Sequence, residues 1–500
     1  RYYSNVNRKW AKRGLSGPEP ELLFGNLRDI WHFDKPRSIV LSEWSKKYGK
    51  IYGFYEGQRP IIVVSDFETI NDIVVKKTDC FNSRARMILQ DRKNGPNTRI
   101  IEAHGPQWKR LRTLGSMAFT HKSLRKILST VESSASALMD GMARQQGEIN
   151  TLEFFQEYTL DIICKVALGM RDVKMFNNPF LESCKGIFYR PLRHPVTVIP
   201  ALFPFAVDEI LAGFRLLRQF IFAFFDRYVI AAKLLPYKPP FFVLMELLRA
   251  NVEQRKKERS ENGKDTSGDF IDLFLDAEVD VSEVQFGEES DNAKKLSSDE
   301  IVGQCFIFLL AGFDTTSNSL AYTTHFLANH KDVQRKLIEE IDGFLLENET
   351  LELERLKELK YLDAVIRESL RHYPLGSVVV TRECTRACEI GGFKFEVGDS
   401  VATDTWTMHM DESVWGEDAK EFRPERWLEE SGRPRAAFQS FGEGPRICLG
   451  MRLAYMEEKI ALIKLLSRFT IEKTAHTNPI KLVGSVTVGP DRVLVKLVPR

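Results

Sequence analysis

No stretch of this chain is apolar over the ~18–20 positions that a bilayer-crossing helix needs. The longest apolar runs, Ile301 to Phe313 and Pro195 to Val207, stop well short. CxxC pairs are also missing. The cysteines (Cys80, Cys164, Cys184, Cys305, Cys384, Cys388 and Cys448) are odd in number and scattered, which argues against a disulfide framework and for reduced thiols. Charge of one sign is lacking too: 71 Lys and Arg against 69 Asp and Glu leave +2, too weak a field to recruit nucleic acid. Acidic residues are absent before Glu19, whereas Arg8, Lys9, Lys12 and Arg13 crowd the start. We expect residues 1–17 to be a basic juxtamembrane segment that has lost its anchor, or the tail of an Arg-rich transit peptide.

What is present is a chain of 500 residues, 43% hydrophobic and 28% charged, long enough to bury a large core. Residues 18–500 read as one domain, because neither charged stretch, Glu253 to Asp269 or Asp276 to Asp299, has a linker's composition. Lys50 to Tyr55 and Pro60 to Ser65 alternate like strands around Glu56-Gly57-Gln58-Arg59. From Thr69 to Leu370 the spacing is helical, as in Leu124, Ile127, Leu128, Val131 and Ala135. Short β-type segments return at Phe393 to Val397, Ile480 to Val488 and Val493 to Val498. The expected fold is mainly α, with small sheet-rich parts near 45–70 and 375–405/478–500. Phe214 to Phe242 mixes aromatic and basic residues and reads either as a surface resting on a membrane or as a buried helix.

One loop carries the sharpest signal. Phe441-Gly442-Glu443-Gly444-Pro445-Arg446-Ile447-Cys448-Leu449-Gly450 runs into a helical stripe of Leu453, Met456, Ile460, Ile463 and Leu466. It lacks the Lys-Ser/Thr of a P-loop and the third glycine of a dinucleotide fingerprint. Cys448 instead sits where unpaired amides and the positive end of a helix dipole favour a thiolate, the form that binds metal. Phe441, Gly444, Arg446, Cys448 and Gly450 resemble the FxxGxRxCxG signature of the cytochrome P-450 superfamily, the haem-thiolate monooxygenases, and relatives such as the microsomal xenobiotic and steroid hydroxylases. The resemblance implies that family's fold, with a long helix over haem and the cysteine loop beneath. Cys448 becomes the axial iron ligand, and Gly444 and Gly450 let the backbone approach the macrocycle.

Other motifs extend the resemblance. Ser297 to Glu300 form a capping box before a long helix containing Ala311-Gly312-Phe313-Asp314-Thr315-Thr316, similar to the AGxDT oxygen-binding motif. There Thr315 would order water at the oxygen position and Asp314 would relay protons, although a Thr at this place can simply bond back to Ala311. Glu368 and Arg371 with Arg426 resemble the ExxR pair and its partner segment, Trp427 replacing the commoner Phe. Trp108 and Arg112 resemble a propionate-binding WxxxR, with Arg382, Arg446 and Arg84 as further donors. Phe306, Ile307, Leu310, Val378, Val379 and Val486 would line an apolar pocket.

The resemblance therefore implies haem b, dioxygen as co-substrate, a lipophilic small-molecule substrate, and NADPH electrons delivered by a separate flavoprotein reductase, with a small b-type cytochrome as a second donor. It also implies the cytosolic face of the endoplasmic reticulum membrane, the mitochondrial inner membrane being the alternative. Lys109, Arg110, Lys122, Arg125, Lys126, Arg452 and Lys459 are expected to form a basic docking patch. A haem-thiolate peroxide isomerase or dehydratase and a non-catalytic haem sensor are the rival readings.

Overall fold

The computed structural model describes residues 2–85, 98–188, 195–207, 240–263, 269–279, 295–376, 380–430, 432–484 and 486–500, with a few isolated positions between 209 and 217. Most of 214–242, most of 276–299, and both Val378 and Val379 lie outside them.

Eight helices frame the site: α1 (Gly105–Ala118), α2 (His121–Ala143), α3 (Thr151–Leu168), α4 (Pro240–Asn262), α5 (Ser298–Asn329), α6 (Lys331–Glu347), α7 (Lys360–His372) and α8 (Met451–Arg468). The strands are short: β1 (Ile51–Glu56), β2 (Arg59–Val64), β3 (Glu148–Asn150), β4 (Thr381–Glu383), β5 (Cys388–Ile390), β6 (Phe393–Phe395), β7 (Ser400–Thr403), β8 (Phe469–Lys473), β9 (Leu482–Val483), β10 (Gly489–Pro490) and β11 (Leu494–Pro499).

Helix α5 is buried along most of its 32 residues because its sequence is apolar nearly all round, so it runs through the core rather than over it. Its start is the expected capping box: Ser297 Oγ accepts from Glu300 N, and Glu300 Oε2 accepts from Ser297 N. Gly312 is where α3 presses closest. A Cβ there would stand 2.9 Å from Ile163 Cδ1, so this glycine serves helix packing. On α2 the predicted row is inside, with Leu124, Ile127, Val131 and Ala135 buried.

The hairpin β1–β2 forms as read from its alternation, with Ile51 opposite Val64 and Gly57 in the turn at φ +66°. The two sheet-rich parts are not separate, however. Strand β2 pairs in parallel with β7, and β7 pairs antiparallel with β4, giving the order β1-β2-β7-β4. At the other end β3, β11 and β8 make a three-stranded sheet, and the segment expected as a strand over 480–488 reduces to the two residues of β9.

The start of the chain packs into this architecture. Trp10 is buried, its Nε1 donating to Phe54 O at 3.1 Å. Lys9 and Arg13 both bind the buried Asp399, at 2.9 and 2.8 Å. Two of the four expected surface cations are therefore neutralised inside the fold. Among the described residues, no helix is long and apolar enough to cross a membrane.

Candidate functional site

The cysteine loop is built from local constraints. Gly444 holds φ +73°, and a Cβ on it would lie 1.9 Å from Val74 O, so no other residue fits where the loop meets the π-helical turn Asp72–Lys76. Gly450 meets only Phe119 Cε1, at 3.6 Å, an ordinary contact. The glycine constraint expected from a flat cofactor is thus set at Gly444 by the protein's own backbone. Cys448 N donates to Phe441 O at 2.8 Å, closing the loop, and the Phe441 ring packs on Tyr455 at 5.2 Å.

Cys448 is exposed, yet burial is the largest influence on its thiol and pushes the pKa up. The expected opposing influences are present: the amides of Gly450 and Met451 and the charges of Arg112 and Arg84 favour thiolate. They are outweighed by desolvation, so the helix terminus alone does not deliver the thiolate that the sequence suggested. A bound metal cation would.

Helix α1 sits between this loop and α5. A Cβ on Gly115 would touch Leu449 Cδ2 at 2.9 Å and Phe308 Cζ at 3.5 Å, which places the cysteine loop and the middle of α5 against one helix. On α5, Ile307, Ala311 and Thr315 are spaced i, i+4, i+8 and form an accessible stripe on an otherwise buried helix, Ala311 being exposed and the other two partly so. Phe306 and Leu310, expected to line the same pocket, are buried. Phe306 packs against Phe241 and beneath the Arg99 guanidinium. Val486 is exposed, and Val378 and Val379 lie outside the described residues.

The helix is not opened at the motif. It stays α-helical, and Thr315 Oγ donates to Ala311 O at 2.7 Å, the local bond open to any mid-helix threonine. Asp314 points off the stripe into a buried network in which Asn318 Nδ2 donates at 3.0 Å, Thr487 Oγ1 also donates, and Oδ1 has no protein partner. Burial lifts its carboxyl to about 6 against those two hydrogen bonds.

Four guanidiniums gather beside the cysteine. Arg446 is buried, with Nε donating to Asn82 O at 2.8 Å and Nη2 to Ala103 O at 2.9 Å, while Nη1 has no protein partner. Its charge stands 4.4 Å over the Trp108 ring. Arg382, also buried, donates to Thr381 O and Glu443 O, and Arg84 to Arg446 O. Desolvation lowers all four: Arg446 to about 8, Arg382 to about 9, Arg84 to about 10, with Arg112 following. The charges that add to this at Arg446 are those of Arg84, Arg382 and Arg112, all of its own sign. A buried cation cluster with an orphaned N–H fits a ligand that brings carboxylates with it, as the two propionates of haem do.

Beneath the loop, Glu368, Arg371 and Arg426 form a closed network without exposed surface. Glu368 accepts from Arg371 Nε and Nη2 at 2.9 and 2.8 Å, and from Arg426 Nε at 2.9 Å. Burial alone would raise its carboxyl, but the bonds from Arg371 and His372 and the charges of Arg371 and Arg426 hold it well below the usual range. Trp427 is more than a stand-in for Phe, since its Nε1 donates to Glu368 Oε2 at 2.9 Å. His409 was not legible in the sequence. Its Nδ1 donates to Arg371 O, its Nε2 accepts from Gln439 N, and its ring stacks on Phe438, so it ties the network to the loop leading to Cys448.

The expected basic patch is smaller than read. Arg110 is buried and paired with Glu300 at 2.6 Å, and Lys459 is buried against Asp363 and Leu356 O. Arg125 pairs with Glu354, whereas Lys109, Lys122, Lys126 and Arg452 are exposed.

A family model described as cytochrome P450 matches residues 15–497. Among similar Caenorhabditis elegans proteins bearing that family's name, CYP13A5 and CYP13A3 are each 39% identical over 524 residues, covering 100% of this chain and 96% of their own length. CYP13A7 is 40% identical over 516 residues, covering 99% of this chain and 96% of its own length. The chain belongs to the cytochrome P450 family, whose members act with haem b, dioxygen and reductase-derived electrons, and it is a haem-thiolate monooxygenase.

Proposed function

We propose that this monooxygenase inserts one oxygen atom into a lipophilic small molecule, by hydroxylation or epoxidation, using NADPH electrons passed on by a separate flavoprotein reductase. The observation that carries this reading is the Ile307, Ala311, Thr315 stripe: an apolar wall with one hydroxyl, on the helix that α1 links to the cysteine loop. Cys448 would ligate the haem iron through its thiolate, and Arg446, Arg382, Arg112 and Trp108, with Arg84, would hold the propionates. When bound, haem supplies the activation of dioxygen that no side chain can.

The chain's own residues handle protons. Thr315 Oγ keeps acceptor lone pairs while it donates to Ala311 O, so it can order a water on the stripe. Asp314, with a carboxyl near 6 and a free Oδ1, can hold or release a proton close to neutral pH one residue away. Glu368, Arg371, Arg426 and His409 act by position, keeping the loop in place. Lys109, Lys122, Lys126 and Arg452 remain as a reduced docking face for the reductase. Placement at the cytosolic face of the endoplasmic reticulum membrane is part of this proposal.

Turnover is the test. Product that requires NADPH and reductase supports the reading, whereas product from a hydroperoxide alone, with none under reducing conditions, supports an isomerase or dehydratase. A thiolate-type carbon monoxide spectrum that persists in Cys448→Ala would remove the ligand assignment. Thr315→Ala is expected to leave haem absorbance and melting temperature unchanged while NADPH use outruns product.

A further inference from the structure

Cys80 meets Cys384 and Cys388, about 300 positions further along the chain, in the small core under the sheet-rich end. Cys80 and Cys384 are buried in it, and Cys388, half-buried, packs on its edge. Independent contacts fix the arrangement. Cys80 O accepts from Thr385 N at 2.7 Å and from Thr385 Oγ1 at 3.1 Å, three residues before Cys388. Lys77 Nζ donates to Glu389 O at 3.2 Å. Cys388 faces Phe395 across the β5–β6 pair, and the Phe395 ring meets that of Phe81 edge-on at 5.4 Å. Cys388 lies close enough to Cys80 to help raise the pKa of its thiol, whereas Cys384 directs its own thiol to Arg386 O at 3.2 Å.

We propose that Cys80 and Cys388 are a modification site, a thiol pair that closes into a reversible disulfide when the protein meets a small-molecule disulfide such as oxidised glutathione. Cys388 is the accessible partner and reacts first. Its sulfur attacks one sulfur of the oxidant, whose S–S bond breaks, leaving a mixed disulfide and one free thiol that takes up the Cys388 proton. Cys80 Sγ then attacks the Cys388 sulfur, forming the protein S–S bond and expelling the second thiol, which takes the Cys80 proton. Two protein thiols are oxidised and one oxidant disulfide is reduced to two thiols. Burial and the neighbouring Cys388 keep the Cys80 thiol protonated at rest, which disfavours it as the first attacker and leaves that step to Cys388.

The consequence reaches the haem site. Cys80 is two residues before Asn82, whose carbonyl holds Arg446 Nε, and Ser83 is bridged to Glu383 of β4. A bond from Cys80 to β5 fastens the backbone that positions Arg446. The oxidised protein is therefore expected to melt several degrees higher and to release haem at least about twofold more slowly, because the cross-link restricts the opened state.

The haem-loaded enzyme would be incubated with oxidised glutathione, its free thiols trapped by alkylation before unfolding, and its non-reduced peptides mapped by mass spectrometry. The expected result is a Cys80–Cys388 linkage that dithiothreitol removes, with a glutathione adduct accumulating on Cys388 in Cys80→Ser. Glutathione on Cys388 of the unmutated enzyme without linkage, linkage of Cys388 to Cys384 instead, or no reaction at Cys388 would each overturn the proposal. Because the unmutated enzyme alone decides between these, the outcome does not depend on how the variants fold.

Discussion

Two groups of arginines, one around Glu368 and one around Arg446 of the cysteine loop, handle charge in opposite ways. Arg371 and Arg426 share the carboxylate of Glu368, Arg426 also pairs with the Asp418 carboxylate, and their other N–H groups go to backbone carbonyls of His409, Ala419, Trp415 and Asp418, so the polypeptide balances them by itself. Arg446, Arg382, Arg84 and Arg112 crowd together with depressed pKa values, and Nη1 of Arg446 has no protein partner. The first group is finished when the chain folds. The second is finished only by a ligand that carries negative charge, so the comparison separates a folding device from a binding device made of the same residue type.

The largest expected effect breaks the first group. Arg371→Ala leaves Glu368 buried with one partner fewer and two carbonyls without donors, a cost of about 3–5 kcal/mol. Little haem-loaded protein should be recovered; normal yield and absorbance with slow turnover would instead make Arg371 a participant in the chemistry.

Next comes a buried acid that has neither kind of balance. Glu458 of α8, bonded to Ser319 Oγ at 2.9 Å, is raised by burial from the ordinary 4.5 to about 8. Since the folded pKa is the higher, this carboxyl favours folding while protonated, and that stability is lost as pH climbs from about 4.5 to about 8. Glu458→Gln should thus gain up to about 4 kcal/mol at pH 8 and nothing near pH 4, read from denaturant titrations at both.

Breaking the second group should look different from Arg371→Ala. Arg382→Met is expected to cost about 2 kcal/mol of haem binding, near 30-fold in release to a scavenger protein. The haem-free chain should unfold no more easily than before, because its neighbours lose a like charge. Equal destabilisation of both forms would erase the distinction between the two groups.

The smallest effect sharpens the first group. Trp427→Phe removes one of the donors on Glu368 and should cost about 1 kcal/mol, with haem absorbance unchanged. No measurable loss would return Trp427 to the role of a packing aromatic.

What could be read before folding was local. The β1–β2 hairpin followed from alternation and turn residues, the start of α5 from a capping box four residues long, and the cysteine loop from a pattern within ten residues. What could not be read was long-range. Arg110 looked like a surface cation because its partner Glu300 is 190 positions away, and Lys459 because Leu356 and Asp363 come from another element. His409 carried no motif, since its role depends on Arg371 and Gln439 arriving at its two ring nitrogens. Lys9 and Arg13 gave no sign of their partner either, since Asp399 is 390 and 386 positions away.

By itself, the sequence determined the cysteine loop, because its residues are contiguous, and through that loop's resemblance to the cytochrome P450 signature it pointed to the reaction class. It also determined the helical character of the chain, because periodicity is a property of neighbours. Tertiary structure alone decided that the sheet-rich parts merge through β2 and β7, and that Thr315 bonds back while Asp314 turns into a buried network. It decided too which arginines are balanced from within and which await a ligand. Charge balance in a core is set by distance through space, and residues far apart in the chain have no such distance until the fold closes.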